Sequence, residues 1–237
     1  MACPTPSLRY VVHALLSFAA LIILTPFIVL YSRRYEKNLC KNHYKPIEDH
    51  ELRLAKQQFE DIGAQARKLG LAVCGCFVQA PGTGSGRDEL QLWLNDRRDV
   101  LVIAIVRRVW LLPKLWEVRV VSHLGGGRTL VTVSATAMLN DVSGLEDAHL
   151  CPADFTLAQL LSKHEWRLAE VQSEPLPFSD EDPIGDYEDL HWHRVQKLAE
   201  QGYATIIDHE TTQWRYTSAG EAALACRNRL CNQSESA

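Results

Sequence analysis

Histidines and carboxylates that could bind a metal ion cluster in one acidic stretch of the chain. Glu188 and His191 have the i, i+3 spacing at which a carboxylate and an imidazole share one helix face. Such sites need a matching pair from a second helix, and His164 offers only part of one. The candidate metal ligands are therefore Asp186, Glu188, His191 and His164. We predict no bound metal or other cofactor, because hydrogen-bonded or exposed histidines give the same pattern.

Other patterns typical of reactive sites are incomplete. Gly82-x-Gly84-x-Gly86 lacks the Gly-Lys-Ser/Thr ending of a phosphate-binding loop, and a strand instead of a helix follows it. Cys74 and Cys76 are predicted on one face of a buried strand, and their spacing is not Cys-x-x-Cys. No serine stands in a Gly-x-Ser-x-Gly turn. The sequence therefore predicts no catalytic residue.

One long apolar run near the N-terminus precedes the helices and strands that would position these residues. Tyr10 to Tyr31 contains 22 residues and no Asp, Glu, Lys or Arg, which is the length that crosses a hydrocarbon core of about 30 Å as a helix. A cleaved signal peptide has a shorter apolar region and a small-x-small cleavage site, and neither is present. The sequence predicts a single transmembrane helix that is retained.

Positive charge on the two sides of this run predicts its orientation. Arg9 and the terminal amine precede it, whereas five cations follow it: Arg33, Arg34, Lys37, Lys41 and Lys45. The positive-inside rule places the N-terminus outside and the C-terminal domain in the cytoplasm. Topology alone explains the five cations, although they could also contact anionic lipid headgroups. Seven cysteines without a repeated spacing suit a reducing compartment.

An amphipathic helix packed on a sheet is predicted next. Pro46 followed by acidic residues favours a helix start. Apolar residues then recur at helical spacing until Gly70, namely Leu52, Ala55, Phe59, Ile62, Ala66 and Leu69. The same stripe could form a short coiled-coil seam, but its length favours packing on a sheet.

Five strands of an antiparallel meander are predicted from the change to strand-like periodicity. They are Leu71 to Val78, Glu89 to Asn95, Val100 to Val106, Trp116 to Leu124 and Thr129 to Ala135. A polar link then leads into a helix opened by the capping box Thr156-x-x-Gln159. Leu157, Leu160, Leu161, His164, Leu168 and Val171 mark the buried face of that helix.

The C-terminal part is predicted as helix, hairpin and helix. The second helix covers Ile184 to Gln201, and two strands, Tyr203 to His209 and Gln213 to Thr217, precede a helix opened by Ser218-x-x-Glu221. The fold class is therefore α+β. We divide the chain into a tail (1–9), the transmembrane helix (10–31), a basic segment (32–46), a sheet domain (47–150), a helical and hairpin part (151–230) and a polar tail (231–237).

The order of these last elements resembles the second half of a winged-helix domain. Residues 185–230 carry the likeness, through the Gly202 turn, the hairpin and the Thr217-Ser-Ala-Gly220 turn before the last helix. The resemblance implies a recognition helix followed by a two-stranded wing. The segment from Glu174 to Glu200 contains eight acidic residues and only two cations, Arg194 and Lys197. Because this negative charge would repel phosphates, we expect no nucleic-acid partner.

Together these patterns predict a single-pass membrane protein with a cytoplasmic domain. Its expected partners are the lipid bilayer and a protein in the membrane or at its cytoplasmic face. We predict a non-enzymatic accessory, scaffold or regulatory subunit of a membrane complex. Two alternatives stay open, a membrane-anchored hydrolase or metal-dependent enzyme and a membrane-tethered winged-helix regulator.

Overall fold

The computed structural model describes residues 44–79, 86–109, 115–134, 141–171, 173–210 and 212–234. Within these ranges, none of the helices is long and apolar enough to cross a membrane. The predicted transmembrane segment, Tyr10 to Tyr31, lies outside the described residues, as do Arg33, Arg34, Lys37 and Lys41. Lys45 is described and is exposed.

The α+β class is confirmed, and seven strands form one mixed sheet. In spatial and chain order they are β1 (Tyr44–Ile47), β2 (Ala72–Gln79), β3 (Gly86–Leu94), β4 (Leu101–Val109), β5 (Leu115–Gly125), β6 (Arg128–Ser134) and β7 (Glu146–Cys151). Neighbouring strands are antiparallel except β7, which runs parallel to β6. The five predicted strands are β2 to β6, and their meander is confirmed.

The predicted number of strands is wrong, because a strand is added at each edge. Pro46 was expected to open a helix but lies in β1, where an edge strand tolerates a residue that cannot donate to the ladder. Glu146–Cys151 was expected to be part of a polar link. Edge strands are often polar, so neither segment shows the apolar alternation by which strands are recognised.

Helix α1 (Lys56–Lys68) begins later than predicted. A single turn of 3-10 helix (Asp49–Glu51) precedes it, and the buried Glu89 carboxylate accepts the backbone N–H groups of Arg53 and Leu54, both at 2.8 Å. These two bonds anchor the chain in a nonhelical conformation before α1. The predicted stripe is nevertheless buried against the sheet except for Leu69, which is 42% exposed, so it is not available as a coiled-coil seam.

Helices cover both faces of the sheet. Helix α1 and helix α2 (Leu157–Val171) pack on the first face, against side chains that include Trp93, Val102, Ala104, Val118 and Val120. Helix α3 (Pro183–Glu200) packs on the second face, against side chains that include Leu92, Ile103, Val121, Val131 and Val133. The capping box of Thr156 and Gln159 that opens α2 is confirmed.

A connecting segment, residues 173–182, leads from α2 to α3 and crosses the end of the sheet. We call it the strap. Leu176 N donates to His123 O at 2.7 Å, and Phe178 N donates to Arg98 O at 2.8 Å. The Phe178 side chain is buried in the core of the second face. Asp182 then caps α3 by accepting the Gly185 N–H.

The helix, hairpin and helix predicted at the C-terminal end are confirmed. Strands β8 (Ala204–Asp208) and β9 (Gln213–Tyr216) pair as a hairpin, and α4 covers Ser218–Ser234. The capping residue is Thr217 instead of the predicted Ser218, because Thr217 Oγ1 accepts the Gly220 N–H at 3.2 Å. A small core of Val195, Leu198, Ala204 and Trp214 joins α3 to the hairpin.

Candidate functional site

The four candidate metal ligands do not come together. His164 lies on α2 over the first face of the sheet, whereas Asp186, Glu188 and His191 lie on α3 over the second. Among the described residues, no group of three or more His, Cys, Asp or Glu side chains could hold a metal ion. An enzyme built on all four residues therefore has no common centre in this arrangement.

The three candidates on α3 have separate surroundings. Asp186 Oδ2 accepts the Ser179 N–H at 2.6 Å and so holds the strap against the helix. Glu188 Oε1 accepts the Tyr44 N–H at 3.0 Å and links α3 to β1. The His191 ring centroid lies 6.1 Å from that of Trp214 in the hairpin. Each of the three contacts a different part of the fold.

His164 lies within a directed chain of hydrogen bonds. Its ring is fully buried, with Nδ1 3.0 Å from Thr132 Oγ1 and Nε2 3.0 Å from Ser122 Oγ. Ser122 Oγ donates to Asp99 O at 2.7 Å, so it accepts from His164 Nε2–H. His164 Nδ1 then accepts from Thr132, and Thr132 Oγ1 accepts from Arg167 at 2.9 Å. This assignment makes His164 a neutral imidazole with its proton on Nε2.

Burial and the neighbouring Arg167 cation lower the pKa of His164 to about 3. The Arg167 guanidinium is itself held by Val131 O and by the backbone and carboxylate oxygens of Asp147. Ser122 and His164 thus form a serine–histidine pair enclosed in the core, where both ring nitrogens already have partners. Together with Thr132 and Arg167, this pair has a structural role, because its hydrogen bonds connect α2 to β5, β6 and β7.

The two cysteines of β2 lie on opposite faces, which corrects the prediction that they share one. The register slips between Val73 and Gly75, and Gly75 has a φ of +148°. This bulge turns Cys74 toward the core of the second face and leaves Cys76 in the core of the first. Burial raises the pKa of Cys74 to about 11 and raises that of Cys76 further. Both thiols stay protonated at neutral pH and are weak nucleophiles.

Charged side chains on the second face are paired near one end of the sheet. Asp88 and Arg107 lie opposite each other on β3 and β4 and form a two-oxygen contact at 3.1 and 3.2 Å. On β5, Arg119 pairs with Glu117 and also donates to the Tyr187 hydroxyl at 3.3 Å. The opposite charges within each pair neutralise each other. The Arg119–Tyr187 hydrogen bond connects α3 to the sheet.

One accessible feature is an edge of β2, which we call the docking edge and define as Ala72–Gly75. Strand β1 pairs only with Cys76 to Gln79, because after Ile47 the chain turns away toward Asp49. Within the part of the chain that the structure describes, no strand pairs with the outer side of the docking edge. Val73 is 62% exposed there, and Leu69, at the end of α1, is 42% exposed.

Sequence reasoning missed this edge, although one signal was present. A glycine inside an otherwise apolar strand, here Gly75, is typical of a bulge or of a close backbone approach. The exposure of Val73 follows from that bulge and from the short length of β1, and neither is visible in the periodicity of Leu71 to Val78. The loop glycines Gly82 and Gly84 lie outside the described residues.

Comparison with known proteins places the chain in no family. No family model, no curated protein and no solved structure matches it. The likeness of residues 185–230 to half of a winged-helix domain stays a prediction. In that segment, Arg194 of α3 is not available to contact a phosphate, because its side chain is buried and paired with Glu146.

Proposed function

We propose that this chain is a membrane-anchored accessory or scaffold subunit whose folded domain binds an extended segment of a partner protein at the docking edge. The observation that supports the proposal is the open stretch of β2 with its largely exposed Val73. Leu69, at the end of α1, is also exposed. Proteins generally protect such edges, because unpaired backbone groups and an apolar side chain favour strand addition. An edge left accessible is a ready binding surface.

The chemistry of the edge favours a short β-strand as the ligand. Backbone N–H and C=O groups on the outer side of Ala72–Gly75 can pair with an extended peptide placed in line with β1. Val73 would then pack against an apolar side chain of that peptide. The bulge at Gly75 limits the added strand to a few residues, and such a limited contact suits a subunit that is also held by a membrane anchor.

The predicted membrane helix would supply the other half of this function. It would hold the domain at the cytoplasmic face, with Lys45 and the preceding basic residues next to anionic lipids. Tethering raises the effective concentration of the domain near a partner in the same membrane. A weak strand contact would therefore be sufficient for stable association.

Site-specific cross-linking in native membranes tests the proposal directly. A photo-crosslinking amino acid replaces Val73 in one variant and the exposed Arg215 of β9 in a matched control. We expect one discrete, stoichiometric adduct from position 73 and none from position 215. Mass spectrometry of the adduct would identify the partner peptide.

Two substitutions separate the edge from the stability of the domain. Val73→Lys places a charge on the edge and should abolish co-purification of that partner, because strand addition would bury the charge. Val73→Thr keeps the branched shape and should retain the partner. If the protein purifies alone and position 73 gives no adduct, the accessory function is wrong.

A further inference from the structure

Strand β7 is the last strand of the sheet, at the edge opposite β1. It pairs with β6 in unbroken register over six residues, from Glu146 to Cys151. Within the part of the chain that the structure describes, no strand pairs with the outer side of β7. This edge is distinct from the docking edge, which belongs to β2.

The backbone groups of β7 that face outward can be assigned from one hydrogen bond. Thr129 N donates to Leu145 O at 2.8 Å, and Thr129 is level with Glu146 in the parallel ladder. In a parallel pair, every second residue of a strand directs its N–H and C=O groups to the same neighbour, so Leu145 begins the set that faces β6. The residues that direct these groups outward are therefore Glu146, Ala148 and Leu150.

The outer side of β7 lacks the features that usually protect a sheet edge. Lysine, proline and bulges discourage the addition of a strand, and β1 contains both a lysine and a proline. Strand β7 has no Lys, Arg or Pro and no bulge. Its two carboxylates, Glu146 and Asp147, pair with an arginine of a covering helix, Arg194 and Arg167 respectively. Their charges are thus compensated within the same copy.

We infer that β7 pairs antiparallel with β7 of a second copy, so that the two sheets become continuous across a two-fold axis. Ala148 lies on that axis, where its N–H donates to the Ala148 C=O of the second copy. The Leu150 N–H of each copy donates to the Glu146 C=O of the other. The Glu146 N–H is not required, because it donates to Asp141 Oδ2 at 3.1 Å.

The side chains favour this register over its neighbours. With the axis at Ala148, Asp147 stands directly opposite His149 of the second copy, and this contact of an acid with an imidazole occurs twice. Asp147 accepts from Arg167 through Oδ1, and its side chain is 65% exposed, so Oδ2 can approach the imidazole. An axis one residue earlier would place two Asp147 carboxylates opposite each other, and an axis one residue later would place two imidazoles there.

Pairing of identical edges closes at two copies. Both β7 strands are then used, so a third copy cannot add at this edge. Pairing of β7 with the docking edge of another copy would instead continue into a filament. The β7 dimer leaves both docking edges accessible, so it would present two binding sites for the partner segment.

Disulfide cross-linking of the full chain in native membranes tests the inference. Hydrogen-bonded residues opposite each other in antiparallel strands have Cα atoms about 5.5 Å apart, which a disulfide can span. Two differently tagged forms of the Ala148→Cys variant are co-expressed and oxidised with copper phenanthroline. We expect a covalent dimer that contains both tags and disappears on reduction.

Leu150→Cys is the matched control, because Ala148 and Leu150 are both half-buried on the same face. In the inferred register the two Leu150 Cα atoms are about 14 Å apart, since each lies opposite Glu146. We therefore expect no dimer above the wild-type level, which measures the background from native cysteines such as the exposed Cys226. Adding Val73→Lys to Ala148→Cys should leave the cross-link unchanged, which separates this interface from the docking edge.

Ala148→Pro tests the backbone contribution. The Ala148 N–H points away from β6, so proline removes a donor between the copies without removing a bond of the ladder. Co-purification of the two tagged forms should be lost, while the urea unfolding midpoint stays close to that of wild type. If the midpoint falls strongly, the two cysteine variants decide alone.

Three results would overturn the inference. The first is no covalent dimer above the wild-type level from Ala148→Cys. The second is as much dimer from Leu150→Cys as from Ala148→Cys. The third is a cross-link from position 148 to a different protein in place of the second copy.

Discussion

The two faces of the central sheet are both covered by helix but handle polar groups differently. On the first face, His164, Thr132 and Ser122 are completely buried, and each polar side-chain atom of these three residues has a hydrogen-bond partner. On the second face, α3 and the strap leave a cleft lined by Asp186 and His123. His164 on the first face is enclosed in the core, whereas Asp186 and His123 on the second face line an open cleft.

The width of the sheet explains this difference. Seven strands spaced about 4.8 Å apart span roughly 30 Å, about three times the diameter of one helix. Helices α1 and α2 share the first face, and Gln65 of α1 accepts the Leu157 N–H that opens α2. Among the described residues, only α3 and the irregular strap cover the second face over much of the same width. One helix leaves space at its flank, and the cleft occupies that space.

Introducing a carboxylate on each face should give the largest difference in stability between the two faces. Leu160→Asp would bury an unpaired charge in the first core and should lower the free energy of unfolding by about 4–5 kcal/mol or prevent folding. Leu190→Asp borders the cleft, where the carboxylate can reach water, so we expect a loss of about 2–3 kcal/mol. Urea unfolding midpoints measure both. Equal losses would mean that the second face is as enclosed as the first.

The pH dependence of stability should sharpen the contrast. The pKa of His164 is about 3 in the folded protein and 6.5 in an unfolded chain, so the unfolded state takes up the proton first as pH falls. The stability contribution of neutral His164 is complete above about pH 6.5. It should decline by about 1.4 kcal/mol per pH unit from there toward pH 3.

His164→Gln provides the control for this pH dependence. Glutamine can form similar hydrogen bonds and does not titrate, so its unfolding free energy should have a flatter slope between pH 4 and pH 6. Parallel wild-type and variant curves would contradict the neutral, buried assignment of His164. The other titratable groups are the same in both proteins, so their contributions cancel in the difference.

Two threonines of β6 offer the smallest and most closely matched test. Thr132 faces α2 and contacts both His164 and Arg167. Thr129 is also buried, on the other face, and its hydroxyl has no hydrogen-bond partner among the described residues. Thr132→Val should cost about 2 kcal/mol, because it leaves His164 Nδ1 unsatisfied. Thr129→Val should be neutral or stabilise by up to about 1 kcal/mol. Guanidinium unfolding of both variants measures the two changes in stability. A larger loss in Thr129→Val than in Thr132→Val would contradict the hydrogen-bond assignments of both threonines.

Strong periodicity explains which elements could be predicted. Strands β2 to β6, α2, α3 and the hairpin all carry apolar repeats bounded by turn or capping residues such as Gly202 and Thr156. Strands β1 and β7 were missed because an edge strand needs no apolar pattern. The start of α1 was misplaced because the Glu89 carboxylate, 35 residues away from Leu54, anchors the backbone before it.

The α+β class, the central meander and the helical faces could be predicted from the sequence, because local periodicity and capping act over a few residues. His164 and Asp186 lie on opposite faces of the sheet because of the path that the strap takes over it, and this path is a property of the tertiary structure. The tertiary structure also brings His123 and Asp186 to one cleft and ends β1 short of Ala72–Gly75. Contacts between residues distant in the chain form these sites, and no local pattern encodes them.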